Sequence, residues 1–395
     1  MFNKDMYALG SKRSSIRELF EYGKKRANEV GAENVFDFSL GNPNVPAPDC
    51  VQDALVELAN SCETLHGYTS AQGDVAVREA VAKNISRRFG VDVGKDLIYM
   101  TCGAAASLCI TLRALNENNN EFVVLAPYFP EYKVFIESAG GKAVVAGYDE
   151  KDFTPDISAL EQAIGKNTAA VIVNSPNNPS GTVYSEETIG RMCDLLKAKS
   201  EEFGHPIVII ADEPYRELVY DKTTKVPCIF NYYDDTIVCY SYSKSLSLPG
   251  ERLGYIMVPP CVKDSAEVFA AVCGAGRALG YVCAPSLMQH MLAQCADVRP
   301  DITSYAKNRD TLYDALSGMG FDCVKPDGAF YLFIKAPKGD SAGEFCEKAK
   351  KFEILLVPSD SFGVAGYARL AYCVSEKTAE NSLPAFKKLA EEYGL

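Results

Sequence analysis

The sequence predicts an α/β fold with a mainly parallel sheet covered on both faces, followed by a smaller α+β part. Three observations carry this. Seven short apolar runs recur between residues 97 and 258: Leu97–Met100, Phe122–Ala126, Ala143–Ala146, Ala169–Val173, Ile207–Ala211, Thr236–Tyr240 and Tyr255–Val258. Helical patterns separate most of them, and alternation of strand and helix favours parallel pairing through right-handed crossovers. At 395 residues the chain is long enough for two compact domains.

The elements follow in order. Residues 12–30 carry charge and apolar positions at helical spacing. Phe36–Leu40 reads as a short strand entering the turn Gly41-Asn-Pro-Asn44. Residues 49–60 and 73–89 read as helices, the second with Val75, Val81 and Ile85 on a buried face. Between the apolar runs lie helices at Ala104–Leu115, Glu131–Ala139, Asp156–Ile164 and Glu186–Lys199. After about residue 290 the pattern changes to a long helix (Asp301–Met319), strand Ala329–Ile334 and helix Ala342–Lys351. The runs Ile354–Val357 and Tyr367–Val374 and a last helix near 376–392 complete it. The expected division is an N-terminal segment (1–48), a large domain (49–290) and a small C-terminal domain (291–395).

A net charge of -12 and a sequence pI of about 5.0 argue against nucleic acid and anionic membrane as default partners. No apolar run reaches the ~20 residues of a membrane span, and the charged start, Met1 to Met6, lacks the apolar core of a signal peptide. The 14 cysteines form no C-x-x-C pair and the three histidines are far apart, so metal or redox spacing is absent. Dispersed cysteines behave as small buried hydrophobes in a reducing compartment, and a cytoplasmic location is expected.

Chemistry concentrates in Ser241–Arg252, directly after the apolar run Thr236–Tyr240. Lys244 stands just past a strand end, where open α/β sheets keep their sites. A lysine there is otherwise an ordinary surface residue. Its amine can form a Schiff base with an aldehyde, and Ser241, Ser243 and Arg252 can grip a phosphate. Pyridoxal phosphate needs both. Asp212 closes the apolar run from Pro206, where an unpaired carboxylate is costly. It is either a loop or capping acid or the partner of a protonated pyridine nitrogen.

The spacing S-x-S-K with Arg252 eight residues on resembles the cofactor-lysine signature of class I/II aminotransferases, pyridoxal-phosphate enzymes of the aspartate aminotransferase fold. The resemblance covers nearly the whole chain. It implies a three-layer α/β/α large domain around a seven-stranded sheet with one antiparallel strand, an N-terminal segment packed on the small domain, and a homodimer with composite sites. Asp212-Glu-Pro-Tyr215 resembles the D-x-x-Y element, implying that Tyr215 donates to the cofactor's phenolic oxygen. Asn174–Gly181, otherwise a turn, resembles the N-P-x-G element, with Asn178 meeting that oxygen and the substrate carboxylate. Thr101–Ser107 lies where a helix N-terminus cradles the cofactor phosphate, implying Gly103 and the amides of Ala104 and Ala105. Phe129, with Tyr128 as its neighbour, occupies the place of a ring-stacking aromatic. Tyr68, in a Y-x-x-x-x-G segment, corresponds to a tyrosine reaching the neighbouring subunit's phosphate. Gly41 corresponds to a loop amide at the substrate carboxylate, and Arg369 to the arginine that clamps it. Arg277, seven residues before Ala284-Pro285, stands near the place of a partner-subunit arginine that reads a side-chain carboxylate; a surface arginine is the alternative.

The reaction implied is transfer of an amino group between an L-amino acid and a 2-oxo acid such as 2-oxoglutarate. Ser247–Tyr255 resembles prokaryotic aspartate aminotransferase-like enzymes, which favours aspartate or a similar donor. Alanine or aromatic donors, a carbon–sulfur β-lyase on the same fold, and a pyridoxal-phosphate-binding sensor domain are the alternatives. A dehydrogenase is disfavoured, because no G-x-G-x-x-G follows a strand; Gly274–Gly280 has other spacing and is expected to serve helix packing or a loop.

Overall fold

The structure, a computed structural model, describes residues 1–11, 15–61, 65–117 and 119–395. Among these residues, twelve strands follow in chain order. They are β1 (Phe36–Asp37), β2 (Ile98–Thr101), β3 (Glu121–Leu125), β4 (Lys142–Ala146), β5 (Thr168–Asn174) and β6 (Val208–Asp212). Then come β7 (Thr236–Ser241), β8 (Gly254–Met257), β9 (Tyr331–Lys335), β10 (Ile354–Leu355), β11 (Val357–Pro358) and β12 (Tyr367–Ala371). Seven of them form one sheet in the order β2-β8-β7-β6-β5-β3-β4. Only β8 runs antiparallel to its neighbours; the remaining pairs are parallel. This is the sheet the resemblance implies.

Burial on both faces explains why the central strands read as unbroken apolar runs. In β6, Ile209 and Ala211 enter the core on one face of the sheet, while Val208 and Ile210 enter the core on the other. The register fixes the site's edge. Asn174 pairs with Asp212, and Gly254 pairs with both Ser241 and Thr101. The chain therefore brings the ends of β2, β5, β6 and β7 to one edge, where β8 begins two residues after Arg252. Gly254 has no room for a side chain: a Cβ there would lie 2.3 Å from the Tyr240 carbonyl and 3.0 Å from Gly103 Cα.

β11, β12 and β9 form an antiparallel sheet, and β1 pairs in parallel with β10. The N-terminal helix Ser15–Val30 joins this region through Arg26 and Glu353, 2.6 Å apart. Helices Thr303–Gly318, Ala342–Lys350 and Glu376–Tyr393 pack around a third core that holds Phe330, Phe345 and Phe386. A capping box at Ser341 and Glu344 starts the second of these helices, and Ser375 caps the third.

Several expectations need correction. Residues 12–14 of the expected first helix lie outside the described residues. The strand at Phe36 ends at Asp37, because the Asp37 carboxylate takes the Ser39 amide and hydroxyl at 2.9 and 2.6 Å and turns the chain. β9 starts at Tyr331 rather than Ala329, whose φ of 56° is not extended. The helix expected from residue 73 begins at Val75, since Asp74 caps it. Helices Lys4–Ser11, Ser265–Ala278 and Ser286–Cys295 had no counterpart in the periodicity reading. Gly274 and Gly276 lie inside the second of these; a Cβ at Gly276 would meet the Tyr99 hydroxyl at 2.4 Å, so this glycine serves helix packing. No helix among the described residues is long and apolar enough to cross a membrane.

Candidate active site

The sheet edge opens into a cavity of about 540 Å³. Lys244 sits on a short helical turn, Tyr242–Ser245, which Ser241 caps by accepting from the Ser243 amide. Its Nζ donates to the Gly41 carbonyl at 2.7 Å and lies 5.4 Å from the centre of the Phe330 ring. Burial lowers its pKa to about 8; nearby Cys373 opposes the shift, while Arg252 and Arg369 add to it.

Asp212, at the end of β6, is only 4% exposed. Its Oδ2 accepts from the Tyr132 hydroxyl at 2.5 Å, and its Oδ1 has no partner among the described residues. Burial raises this carboxyl to about 7; the Tyr132 bond works against the shift and the neighbouring Glu213 charge adds to it. Asn174, its strand neighbour, holds the Asp212 carbonyl at 2.9 Å and takes the Asn178 amide at 2.8 Å. That fixes the turn that aims Asn178 at Arg369, whose Nη1 donates to Asn178 Oδ1 at 3.0 Å. Arg369 also donates to the Ser39 carbonyl at 2.6 Å, lies over the Tyr331 ring, and has a buried Nε without a partner among the described residues. Tyr215 and Tyr331 share a hydroxyl contact of 2.9 Å.

The other end of the cavity is a cradle of donors. Helix Gly103–Leu115 begins at β2 without a side-chain cap, and Ala104 and Ala105 line the cavity at its first turn. Gly103 has φ +80°, and a Cβ there would come within 2.8 Å of the Arg252 guanidinium. Ser241 and Ser243 hydroxyls lie 2.8 Å apart on the same wall, and Arg252 rests against the Pro249 carbonyl at 3.0 Å.

Most residues singled out in the sequence thus converge on one cavity. Phe129 lines it, while Tyr128 turns away and is buried near Gly363. Gly41 meets Lys244 through its carbonyl, rather than presenting only an amide, and a Cβ at Gly41 would overlap the Tyr331 hydroxyl. Tyr68 and Arg277 do not line the cavity: Tyr68 is 99% exposed, and Arg277 is exposed on helix Ser265–Ala278. Tyr132, Tyr331 and Asn174 were not singled out. Tyr132 lies one residue into helix Glu131–Ser138, three after Phe129, and that spacing was the available signal. Tyr331 and Asn174 carried none beyond their position at strand ends.

The site fits pyridoxal phosphate on the donor and acceptor set itself. The unpartnered Asp212 Oδ1 is complementary to a protonated ring nitrogen. The open helix start, two hydroxyls and Arg252 are complementary to a phosphate. The depressed pKa of Lys244 suits an amine that must react as a neutral nucleophile.

This sheet and this site fit a pyridoxal-phosphate enzyme, and sequence comparison gives its class. The family model for class I and II aminotransferases matches residues 33–386. The chain belongs to that family, which is dependent on pyridoxal phosphate, and it is an aminotransferase. It is 28% identical to aromatic-amino-acid aminotransferase 2 of Thermococcus litoralis, over 96% of each chain. It is 30% identical to the aspartate aminotransferase of Thermotoga maritima, over 89% of this chain and 90% of that one. Among solved structures, an amino transferase from Eubacterium rectale superposes with a TM-score of 0.97 at 56% identity, over the full length of both chains.

Proposed function

We propose that this aminotransferase takes a dicarboxylic L-amino acid, aspartate or a close analogue, as donor and a 2-oxo acid such as 2-oxoglutarate as acceptor. The joint placement of Lys244, Asp212 and the Asn178–Arg369 pair around one cavity supports the transamination, and the preference for a dicarboxylic donor rests on the exposed Arg277 reaching a partner's site. When bound, pyridoxal phosphate supplies an electrophilic aldehyde and a ring that takes up the electron pair left at the substrate Cα.

The chain's own residues do the rest. Lys244, as the neutral amine, would bind the cofactor's aldehyde carbon and would move the proton at the substrate Cα. The Asp212 carboxylate would accept from the ring nitrogen and so keep it protonated, with Tyr132 fixing the carboxylate from its other oxygen. Ser241, Ser243, Arg252 and the amides of Ala104 and Ala105, made accessible by Gly103, hold the phosphate. Phe129 would cover the ring, and Tyr215 and Asn178 would meet the phenolic oxygen. Arg369, Asn178 and the Gly41 loop hold the substrate carboxylate.

The cofactor-binding part runs from residue 49 past the expected boundary at 290, because helix Ser286–Cys295 is buried in its core through Met291, Leu292 and Cys295; the remainder to 395 forms the smaller part, with residues 1–48 packed on it. Two copies pair so that Tyr68 reaches the partner's phosphate cradle and Arg277 the partner's substrate side chain. The exposure of both side chains supports this. A second reading has its own support: Ile16, Phe20, Leu40 and Leu108 give the cavity an apolar wall suited to an aromatic donor. Steady-state kcat/KM for L-aspartate, L-phenylalanine and L-alanine with 2-oxoglutarate decides. The first reading requires aspartate to lead and Arg277→Ala to lower its kcat/KM selectively; phenylalanine in the lead overturns it.

A further inference from the structure

A second cavity, of about 320 Å³, lies between helix Val75–Phe89, strands β7 and β8 and the segment Ala296–Arg299. It shares no lining residue with the first. One stretch of chain walls both. Ser241, Ser243 and Lys244 line the first cavity, whereas Tyr240, Tyr242 and Ser245 line the second. Alternating side chains at the end of a strand produce this division.

The two carboxylates of the second cavity are already matched. Glu217 accepts from Arg88 at 2.5 Å and from the Tyr240 hydroxyl at 2.8 Å. Asp297 accepts from both terminal nitrogens of Arg87 and from Asn84. What remains is donor capacity. The Tyr242 and Tyr255 side chains are 6% and 5% exposed, line the cavity, and have no hydroxyl hydrogen bond among the described residues. Burial raises both pKa values well above the ordinary tyrosine value, so both remain O–H donors. Arg299 also lines the cavity, is exposed, and forms no ion pair or hydrogen bond among the described residues. Two hydroxyls that line a cavity without a partner, beside a guanidinium that has no ion pair among the described residues, complement an oxyanion.

We propose that the second cavity binds a small oxyanion, a carboxylate or inorganic phosphate, through the Tyr242 and Tyr255 hydroxyls and Arg299. The claim is independent of the donor specificity proposed above. The test is equilibrium dialysis of radiolabelled orthophosphate and, in a parallel arm, radiolabelled malonate against the protein loaded with pyridoxal phosphate, which keeps the phosphate cradle filled. At least one of the two anions binds at millimolar concentration, and the binding survives Arg369→Ala. It weakens by about tenfold or more in Arg299→Ala and in the double variant Tyr242→Phe/Tyr255→Phe, as expected for loss of a charge-assisted bond. Binding of phosphate alone or of malonate alone identifies the anion. The proposal is overturned if neither anion binds, if Arg299→Ala and the tyrosine variant bind as well as the parent, or if Arg369→Ala abolishes binding and so places the anion in the first cavity. Should the tyrosine variant fail to fold, Arg299→Ala, at an exposed side chain, decides alone.

Discussion

Lys244 and Asp212 owe their chemistry to burial. A lysine whose pKa lies at about 8 rather than the ordinary 10.5 is a substantially neutral amine at mildly alkaline pH. In cofactor-free protein its reaction with a small acylating reagent, followed by peptide mass spectrometry, therefore rises through a midpoint near 8. Asp212 works in the opposite sense. Its folded pKa, raised to about 7 from 3.8, means the folded state holds a proton that the unfolded chain has released. Cofactor-free protein accordingly loses stability as pH climbs from about 4 to 7, by on the order of 2–4 kcal/mol. Denaturant midpoints of Asp212→Asn lack that slope, and so do those of cofactor-loaded protein, in which the ring nitrogen is proposed to pair the carboxylate. The identities of both residues were legible in the sequence, since a carboxylate or an amine at an apolar strand end demands an explanation. Tyr132 and Tyr331 were not legible. Each is one aromatic among many, and only the fold shows that their hydroxyls reach Asp212 and Tyr215.

At the scale of elements, the proposed phosphate cradle depends on two close backbone approaches. Gly103→Ala forces a side chain into a left-handed conformation, at a cost of roughly 1–2 kcal/mol, and displaces Arg252. Cofactor affinity falls by about tenfold or more in equilibrium dialysis, as loss of a charge-assisted bond implies. Gly254→Ala meets the Tyr240 carbonyl instead. It lowers folding stability by about 1–3 kcal/mol in urea titrations, because backbone cannot yield as a flexible side chain does. The central strands were visible in the sequence because parallel strands buried on both faces leave unbroken apolar runs. Helix Ser265–Ala278 was not legible because Gly274, Gly276 and several alanines interrupt the apolar spacing set by Val268, Phe269 and Val272. The end of β1 escaped because a side-chain bond from Asp37, not a turn dipeptide, stops it.

For the whole molecule, the exposed Tyr68 belongs to a site completed by a second copy in the proposed assembly. Mixed dimers test this. In a hybrid of Lys244→Ala and Tyr68→Ala subunits, the Tyr68-variant subunit keeps Lys244 and receives an intact tyrosine from its partner, so one site is whole. Hybrids assembled from the two variants therefore recover cofactor affinity and activity that neither parent has; failure to recover either locates Tyr68 outside the site. Assembly was legible only through family likeness, because a single chain carries no trace of its partner beyond exposed side chains.

Nitrogen transfer tests the central claim most directly. The loaded protein is given 15N-labelled L-aspartate and 2-oxoglutarate, and the label is traced by mass spectrometry, with Lys244→Ala alongside. The account predicts labelled glutamate in step with oxaloacetate, reduced by at least about 10²–10⁴ in the variant, the range lost with a general acid–base group. Label appearing as free ammonium, or unchanged transfer by Lys244→Ala, would contradict it.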